Sequence, residues 1–367
     1  MRRSLKQLKR VPFKYWLFYF FSIIVVAILN TLFYSSTEFQ KKLDLLKNDQ
    51  NNQNSATFCN CRKCDPTNHI IYNEVEEITF ISVPRPLKKD KAKRSMKLAL
   101  SSWLAASPKS HVLLFINRTE FDKSGMFTNE IDQLFGKDRV IYAGDIRTDL
   151  KNVPYINEWF IQGIMQSPSK YVCFINSDIV LSSNWLKRVK QVFSIPEMQD
   201  KPLVLIGQRI DFDLKEESFK TIEFSKFHNN EYELLNEIDS LVNKSQHSDH
   251  SPYGVDTFTF RADKPPFDPY LIPPFIMGRY NWDNWIIGWL NHISETITFN
   301  LNPPIYHINH IRHGFDVNDS RVAINHHLKK ANLDYFGSNY DTKWQIKDGK
   351  LKRRGRHKEY TLGSLDD

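Results

Sequence analysis

Apolar positions are distributed along the chain in three regimes. The first is a single run, Tyr15–Tyr34 (YWLFYFFSIIVVAILNTLFY), twenty residues without a charge. At helical rise it extends about 30 Å, the thickness of a bilayer hydrocarbon core. The second, residues 35–75, is polar and rich in Asn, Gln, Lys and Asp, and predicts a flexible or partly helical stem. The third begins near Val75, where short apolar blocks alternate with amphipathic ones. Strands are predicted at ITFISV (78–83, stopped by Pro84 and Pro86), HVLLFIN (111–117), RVIYAG (139–144), KYVCFIN (170–176), PLVLIGQRI (202–210) and GVDTFTF (254–260). Helices are predicted over Arg94–Ala106, with Met96, Leu100, Trp103 and Leu104 at helical spacing, over Asn157–Gln166, and from an N-cap at Ser183 to Phe193. Asp239–Ser251 reads as an exposed loop. This alternation predicts an α/β fold, a mostly parallel sheet flanked by helices.

Composition and charge narrow the picture. With 41% hydrophobic residues and 26 Phe, 15 Tyr and 8 Trp, a wholly disordered chain is excluded. Thirteen glycines exclude a collagen-like one, and four cysteines a dense disulfide framework. The net charge of +8 invites a nucleic-acid partner, but its location removes that reading. Arg2, Arg3, Lys6, Lys9, Arg10 and Lys14 contribute +6, and the cluster at 347–358 another +6. The rest of the chain is then at −4, with no basic face for a phosphate backbone.

The first cluster precedes the apolar run, which Tyr15, Trp16 and Tyr34 flank as interfacial aromatics. A cleaved signal peptide fits less well, because the run exceeds an h-region and no small-residue cleavage site follows. The expected topology is type II: a cytosolic tail 1–14, a transmembrane signal-anchor helix 15–34, a stem 35–75, a lumenal domain 76–345 and a basic C-terminal tail 346–367. Golgi or another secretory-pathway membrane is the expected location. Cys59, Cys61 and Cys64 in the stem suit a disulfide, or an intermolecular bridge giving a homodimer, better than a zinc site lacking a second ligand pair. Cys173 lies in an apolar strand and is expected to be buried. N-glycosylation triplets start at Asn117, Asn243 and Asn318, with Asn117 placed close enough to a strand to be shielded.

Candidate chemistry is sought just after strands, because ligands of open α/β sheets bind beyond the strands' carboxyl ends. Asn176-Ser177-Asp178 ends the fourth strand, and its oxygen-bearing side chains suit Mn²⁺ or Mg²⁺, or else an Asx turn into the next helix. Asp283 opens an apolar helix among Arg279, Tyr280, Trp282 and Trp285. A carboxylate beside aromatic rings is a composition that recognises sugars, while Trp289 is expected in the core. His307, His310 and His313 recur every three residues in IYHINHIRHGF, where ligation or proton chemistry is expected. Pro303, Pro304 and Gly314 favour a strand followed by a loop, in which only one or two imidazoles share a centre.

Taken together, the NSD strand end, GVDTFTF, PPFIMGRYNWDNWI and HINH resemble GT-A-type glycosyltransferases, the nucleotide-diphospho-sugar transferases. More narrowly, they resemble a group with N-x-D, G-R-x-x-W-D-N-W and H-x-N-H segments. The resemblance spans about residues 76–345 and is strongest at 171–180 and 254–313. It implies a GT-A-like (Rossmann-like) sheet and a divalent ion, Mn²⁺ or Mg²⁺. It also implies a nucleotide-diphospho-sugar donor and a glycan, glycoprotein or glycolipid acceptor. Asn176 stands where the common D-x-D has its first Asp, which leaves Asp178 as the implied metal ligand. A C-terminal histidine ligand is also implied, His310 first and His313 second. Asp283 is the implied base, and Arg279 an implied partner of the diphosphate. Val83, Pro84, Arg85, Asp145, Arg147 and Asn176 lie on the implied nucleotide side, and Tyr280, Trp282 and Trp285 on the acceptor side. Two other readings stay open: a metal-dependent hydrolase or phospho/nucleotidyl-transferase, and a non-enzymatic glycan-binding membrane protein. The hydrolase would draw on Asp316 or Asp319 beside the histidines.

Overall fold

The structure, a computed structural model, describes residues 74–227, 230–310, 319–355 and 361–364. The tail 1–14, the apolar run 15–34, the stem to residue 73 with its three cysteines, His313, Asp316 and Asn318 lie outside the described residues. Among the described residues no helix is long and apolar enough to cross a membrane.

Strands β1 (Thr79–Ser82), β2 (His111–Leu114), β3 (Val140–Tyr142) and β4 (Tyr171–Ile175) form where apolar blocks were expected, two or three residues shorter. All four run parallel in the order β3-β2-β1-β4. Beyond β4 the sheet continues through β9 (Thr257–Arg261), β6 (Leu203–Ile206), β10 (Glu295–Thr298), β12 (Trp344–Lys347), β13 (Lys350–Arg353) and β14 (Thr361–Ser364). Only β9 and β13 run against the others, so the ten-stranded sheet is mostly parallel, as the alternation predicted.

Period-two alternation distributes side chains to both faces, and both are covered, which is why the strands are apolar throughout. On one face Phe80 stacks on Trp103 of α1 (Asp90–Ala105) and meets Trp185 of α4 (Trp185–Phe193). Helices α2 (Met126–Phe135) and α5 (Glu231–Lys244) add Phe127, Ile131, Leu234 and Ile238 to that core. On the other face Phe174 stacks on Phe160 of α3 (Ile156–Gln166), at 4.5 Å between ring centroids. The approach depends on Gly163, where a Cβ would stand 2.5 Å from the Phe174 ring. Helix α6 (Trp282–Ile293) completes this side, Trp282 meeting Trp159 and Phe258. Cys173 is buried, as expected, and burial pushes its thiol up to about 12.

Several expectations are corrected. PLVLIGQRI is two strands, since the chain leaves the large sheet at Gly207-Gln208 and β7 (Arg209–Phe212) enters a second sheet. The presumed loop 239–251 is the end of α5, then β8 (His247–Asp249); Leu241 and Val242 continue the buried stripe of Leu234, Leu235 and Ile238. Ser183 does not cap α4, which starts after Asn184; its N–H donates to the Asp239 carboxylate. The segment 346–353 is no solvated tail. Ile346 and Leu351 are buried in the β12–β13 hairpin, and Asp348 and Gly349 both take positive φ, the two-residue turn of the Asp-Gly signal.

The second sheet, ordered β5-β11-β7-β8, has β5 (Ile179–Leu181) and β11 (Ile305–Ile308) at its start. Each of β5, β7 and β11 follows a strand of the large sheet, β4, β6 and β10 respectively, within two to six residues. The small sheet is thus fed from the carboxyl ends of the large one.

Candidate active site

The order β3-β2-β1-β4 reverses direction between β1 and β4, and open α/β sheets bind ligands at such a reversal. Val83, buried Pro84 and exposed Arg85 follow β1, Asp145 and Arg147 follow β3, and Asn176 follows β4. All the proposed nucleotide-side positions except Arg279 therefore line one edge. Not all keep free side chains. Arg147 pairs with Glu158 at 2.9 Å, and Asp145 accepts from Asn117 at 3.2 Å. Asn117 is exposed, contrary to the expectation that its strand would shield it. Asn243 is exposed as well.

Asp178 is held between the two sheets. Its carbonyl accepts from Ile308 N–H, and the next carbonyl, of Ile179, accepts from the buried Trp103 indole at 2.9 Å. In the antiparallel pairing of β11 with β5, His307 lies opposite Ile179, which brings its imidazole to the Asp178 carboxylate. His307 Nε2 is 3.5 Å from Asp178 Oδ2, and His310 Nε2 is 2.9 Å from the same oxygen. These three residues form a group of possible ligand atoms within 4.8 Å of one another. Asp178 and His310 were expected here. His307 was not chosen as a ligand from the sequence, and strand register is what places it.

Around this trio lies a buried polar chain. His307 pairs in register with Asp211 on β7, so both side chains share a face, with Nδ1 3.0 Å from Asp211 Oδ1. Asp211 Oδ2 receives His250 Nδ1 at 2.7 Å. Arg209 spans two carboxylates, its Nε 3.0 Å from Asp211 and its Nη1 donating to Asp256 at 2.7 Å. Asp256 in turn accepts from Asn176 Nδ2 at 2.8 Å. Asn176 therefore steadies Asp256 through its amide nitrogen. None of Arg209, Asp211, His250 and Asp256 was picked from the sequence. Asp256 lay within GVDTFTF, Arg209 in the segment misread as one strand, Asp211 one residue beyond that segment and His250 in the segment misread as a loop.

The donor set fits a hard divalent cation. Carboxylate oxygen and imidazole nitrogen suit Mn²⁺, and adjacent ligands at about 2.1 Å from an ion stand roughly 3 Å apart, close to the separations present. Among the described residues no hydrogen-bond partner reaches the buried Asp178 Oδ1. Three carboxylates, Asp178, Asp211 and Asp256, face one guanidinium, Arg209, leaving −2 for one divalent ion when the imidazoles are neutral. Without an ion, His307 takes over this role: burial acts against its charge, but Asp178 and Asp211 overcome it and raise the imidazole to about 9.

Asp283 sits in the first turn of α6, after Asn281 with φ 81°. Its carboxyl is half-buried. Desolvation pushes it up to about 7, with a further upward push from Asp256, against hydrogen bonding from the helix N-terminus. A carboxyl poised near neutrality can take a proton and release it again.

The expected aromatic wall is not there. Trp282 is buried, and Trp285 packs on Phe275 and Trp289 while its indole donates to Asn332 O at 2.9 Å. Helix α6 is covered on several sides, so its tryptophans join Trp289 in the core; only Tyr280 is exposed. Arg279 is also reassigned. It pairs with Asp319 at 2.9 Å, and Asp319 caps α7 (Ser320–Ala331) and binds Arg321. That engagement likewise separates Asp319 from the metal-ligand role a hydrolase would give it.

No protein-family model matches the chain, and no curated protein matches it. Solved structures do resemble it. Glucosyl-3-phosphoglycerate synthase from Mycobacterium tuberculosis in complex with phosphoglyceric acid is 12% identical, with a TM-score of 0.36 over 83% of this chain and 94% of that one. The complex of glucosyl-3-phosphoglycerate synthase from the same organism with Mn²⁺, uridine diphosphate and glucosyl-3-phosphoglycerate gives 11%, 0.35, 83% and 93%. At this identity and TM-score the likeness decides nothing about this chain, whose fold and site rest on its own strands and side chains.

Proposed function

We propose that the protein is a metal-assisted glycosyltransferase that moves a sugar from a nucleotide-diphosphate donor to a hydroxyl acceptor. The observation that carries this is the Asp178–His307–His310 group, set beyond the carboxyl end of β4 where the strand order reverses. Asp178, His307 and His310 would hold a divalent ion, Mn²⁺ or Mg²⁺, whose charge offsets that developing on the departing diphosphate. Asp283 takes the proton of the acceptor hydroxyl as its oxygen bonds to the anomeric carbon. The bond from that carbon to the diphosphate breaks, its electron pair leaving with the phosphate oxygen. One base and direct attack favour inversion. The burial of Pro84 and the exposure of Arg85 place backbone and a cation at the end of β1, where the nucleotide would lie.

The setting proposed is a type II protein of the Golgi or another secretory-pathway membrane, with residues beyond the span on the lumenal side. The uncharged run 15–34, its six preceding cations and the exposed sequons at Asn117 and Asn243 support it. A stem-bridged homodimer belongs to the same proposal. Its acceptor would be a glycan, glycoprotein or glycolipid of that compartment.

The test is turnover. The purified full chain, with Mn²⁺ and a panel of UDP- and GDP-sugars, should release nucleotide diphosphate, and excess EDTA should stop it. No turnover with any donor, or undiminished turnover in EDTA, would refute the proposal. Stabilisation by free glycans but by no nucleotide diphosphate would favour a lectin-like protein.

A further inference from the structure

We propose that Asp211 is a positioning residue: it fixes the tautomer and orientation of His307 so that Nε2 faces Asp178 as a metal ligand. The inference rests on the metal site of the proposed transferase and adds a residue that does not itself touch the ion.

An imidazole presents a lone pair at only one nitrogen when neutral, and the group facing its other nitrogen selects which. Here Asp211 Oδ1 stands 3.0 Å from His307 Nδ1, off the line of a hydrogen bond, and its negative charge at that distance favours the proton on Nδ1. The lone pair then belongs to Nε2, the atom on the Asp178 side. Ligand histidines are commonly backed by a carboxylate in this way, which sharpens orientation and basicity.

Asp211 is itself immobilised. Its Oδ2 is occupied by His250 Nδ1 at 2.7 Å, and Arg209 Nε lies 3.0 Å from Oδ1. Arg209 is anchored from the opposite side by Asp256 at 2.7 Å. The backbone contributes too: parallel register sets Asp211 beside His307 and Ile210 beside Tyr306, so the carboxylate cannot leave the imidazole unless β7 slides along β11. Gly254 keeps space for this arrangement, since a Cβ there would come within 2.5 Å of the His250 ring. Burial matters as well. In a solvated site water would compete for Nδ1, whereas His307 is 5% exposed and its orientation is set by Asp211.

The test is a Mn²⁺ titration of the full chain at constant pH, read by the electron paramagnetic resonance signal of free Mn²⁺. Wild type, Asp211→Asn, His307→Ala and the double variant form a cycle. Asp211→Asn should weaken Mn²⁺ binding about 10- to 100-fold, the range for losing such a partner. Because Asp211 acts mainly through His307, most of its loss should disappear in the His307→Ala background, leaving only the small effect of its charge on the ion. A merely structural role would give additive losses. Wild-type affinity in Asp211→Asn, or additivity in the cycle, would overturn the inference. Should circular dichroism show Asp211→Asn to be unfolded, His250→Asn replaces it, with a several-fold weakening expected that vanishes in the His307→Ala background; unchanged affinity would overturn the inference equally. Absence of Mn²⁺ binding by wild type would instead sink the metal reading of the transferase itself, so the two failures are distinguishable.

Discussion

Replacing Asp283 by asparagine should make the protein more stable at alkaline pH while removing its activity. The carboxyl is raised from about 3.8 to about 7 by desolvation and by Asp256. The folded protein therefore binds this proton more tightly than the unfolded chain. The contribution is fully present below about pH 4 and is lost as the pH rises through about 7. Keeping the carboxylate ionised in the fold then costs roughly 4 kcal/mol at 1.36 kcal/mol per tenfold, and partial exposure reduces this to about 2 kcal/mol. Asparagine matches the neutral acid in shape and cannot ionise, so it escapes that cost. Thermal melts between pH 3 and 8.5 should show near-identical midpoints at the acid end. At pH 8 the variant should melt about 5 °C higher, taking 2–4 °C per kcal/mol for a domain of this size. In the same variant, loss of the base should cut kcat/KM about 10²- to 10⁴-fold, and wild-type kcat/KM should rise with pH through about 7. A midpoint difference that stays flat across the pH range, or a less stable variant at pH 8, would refute the reasoning about burial. Wild-type turnover in the variant would remove Asp283 from the role of base.

Three further outcomes are expected. Gly163→Ala should destabilise the fold by about 1–3 kcal/mol in urea melts, because the Phe174 ring occupies the position of the new methyl group; a cost below 0.5 kcal/mol would mean the helix can shift away. Trp285→Ala should cost about 3–5 kcal/mol of stability by leaving a cavity among Phe275, Trp289 and Tyr335, and acceptor KM measured on the folded fraction should stay unchanged; a raised KM without loss of stability would restore Trp285 to the acceptor side. In the proposed lumenal setting Asn243 carries glycan, so endoglycosidase treatment of protein from secretory cells should increase its gel mobility, and Asn243→Gln should abolish that site's share of the shift.

Much of the scaffold was legible because burial on two faces writes itself locally. YVCFI is apolar at every position, since helices cover both sides of β4. Asp178 could be found for the same reason: it follows directly from a recognisable strand end. Where the reading failed, local pattern was ambiguous. PLVLIGQRI has no proline or charge at its break, yet Gly207 and Gln208 carry the chain from one sheet to the other. The Asp-Gly turn at 348–349 was visible between alternating WQIK and KLKR, but the seven cations of 347–358 drew it toward a basic tail. The tryptophans of α6 were misplaced because rings that suit a sugar suit a core equally well.

The sequence by itself determined the strands β1–β4, β6, β9 and β11, helices α1, α3, α4 and α6, the location of the excess charge and which residue types could hold an ion. Only the tertiary structure decided which of them meet. Asp178 and His307 are 129 residues apart, and Asp211 and His307 are 96 apart. They are joined by the register of β11, antiparallel to β5 on one side and parallel to β7 on the other. A slip of one residue would turn His307 to the opposite face. Register depends on pairing between strands distant in the chain, so the local pattern that marks each strand does not encode it.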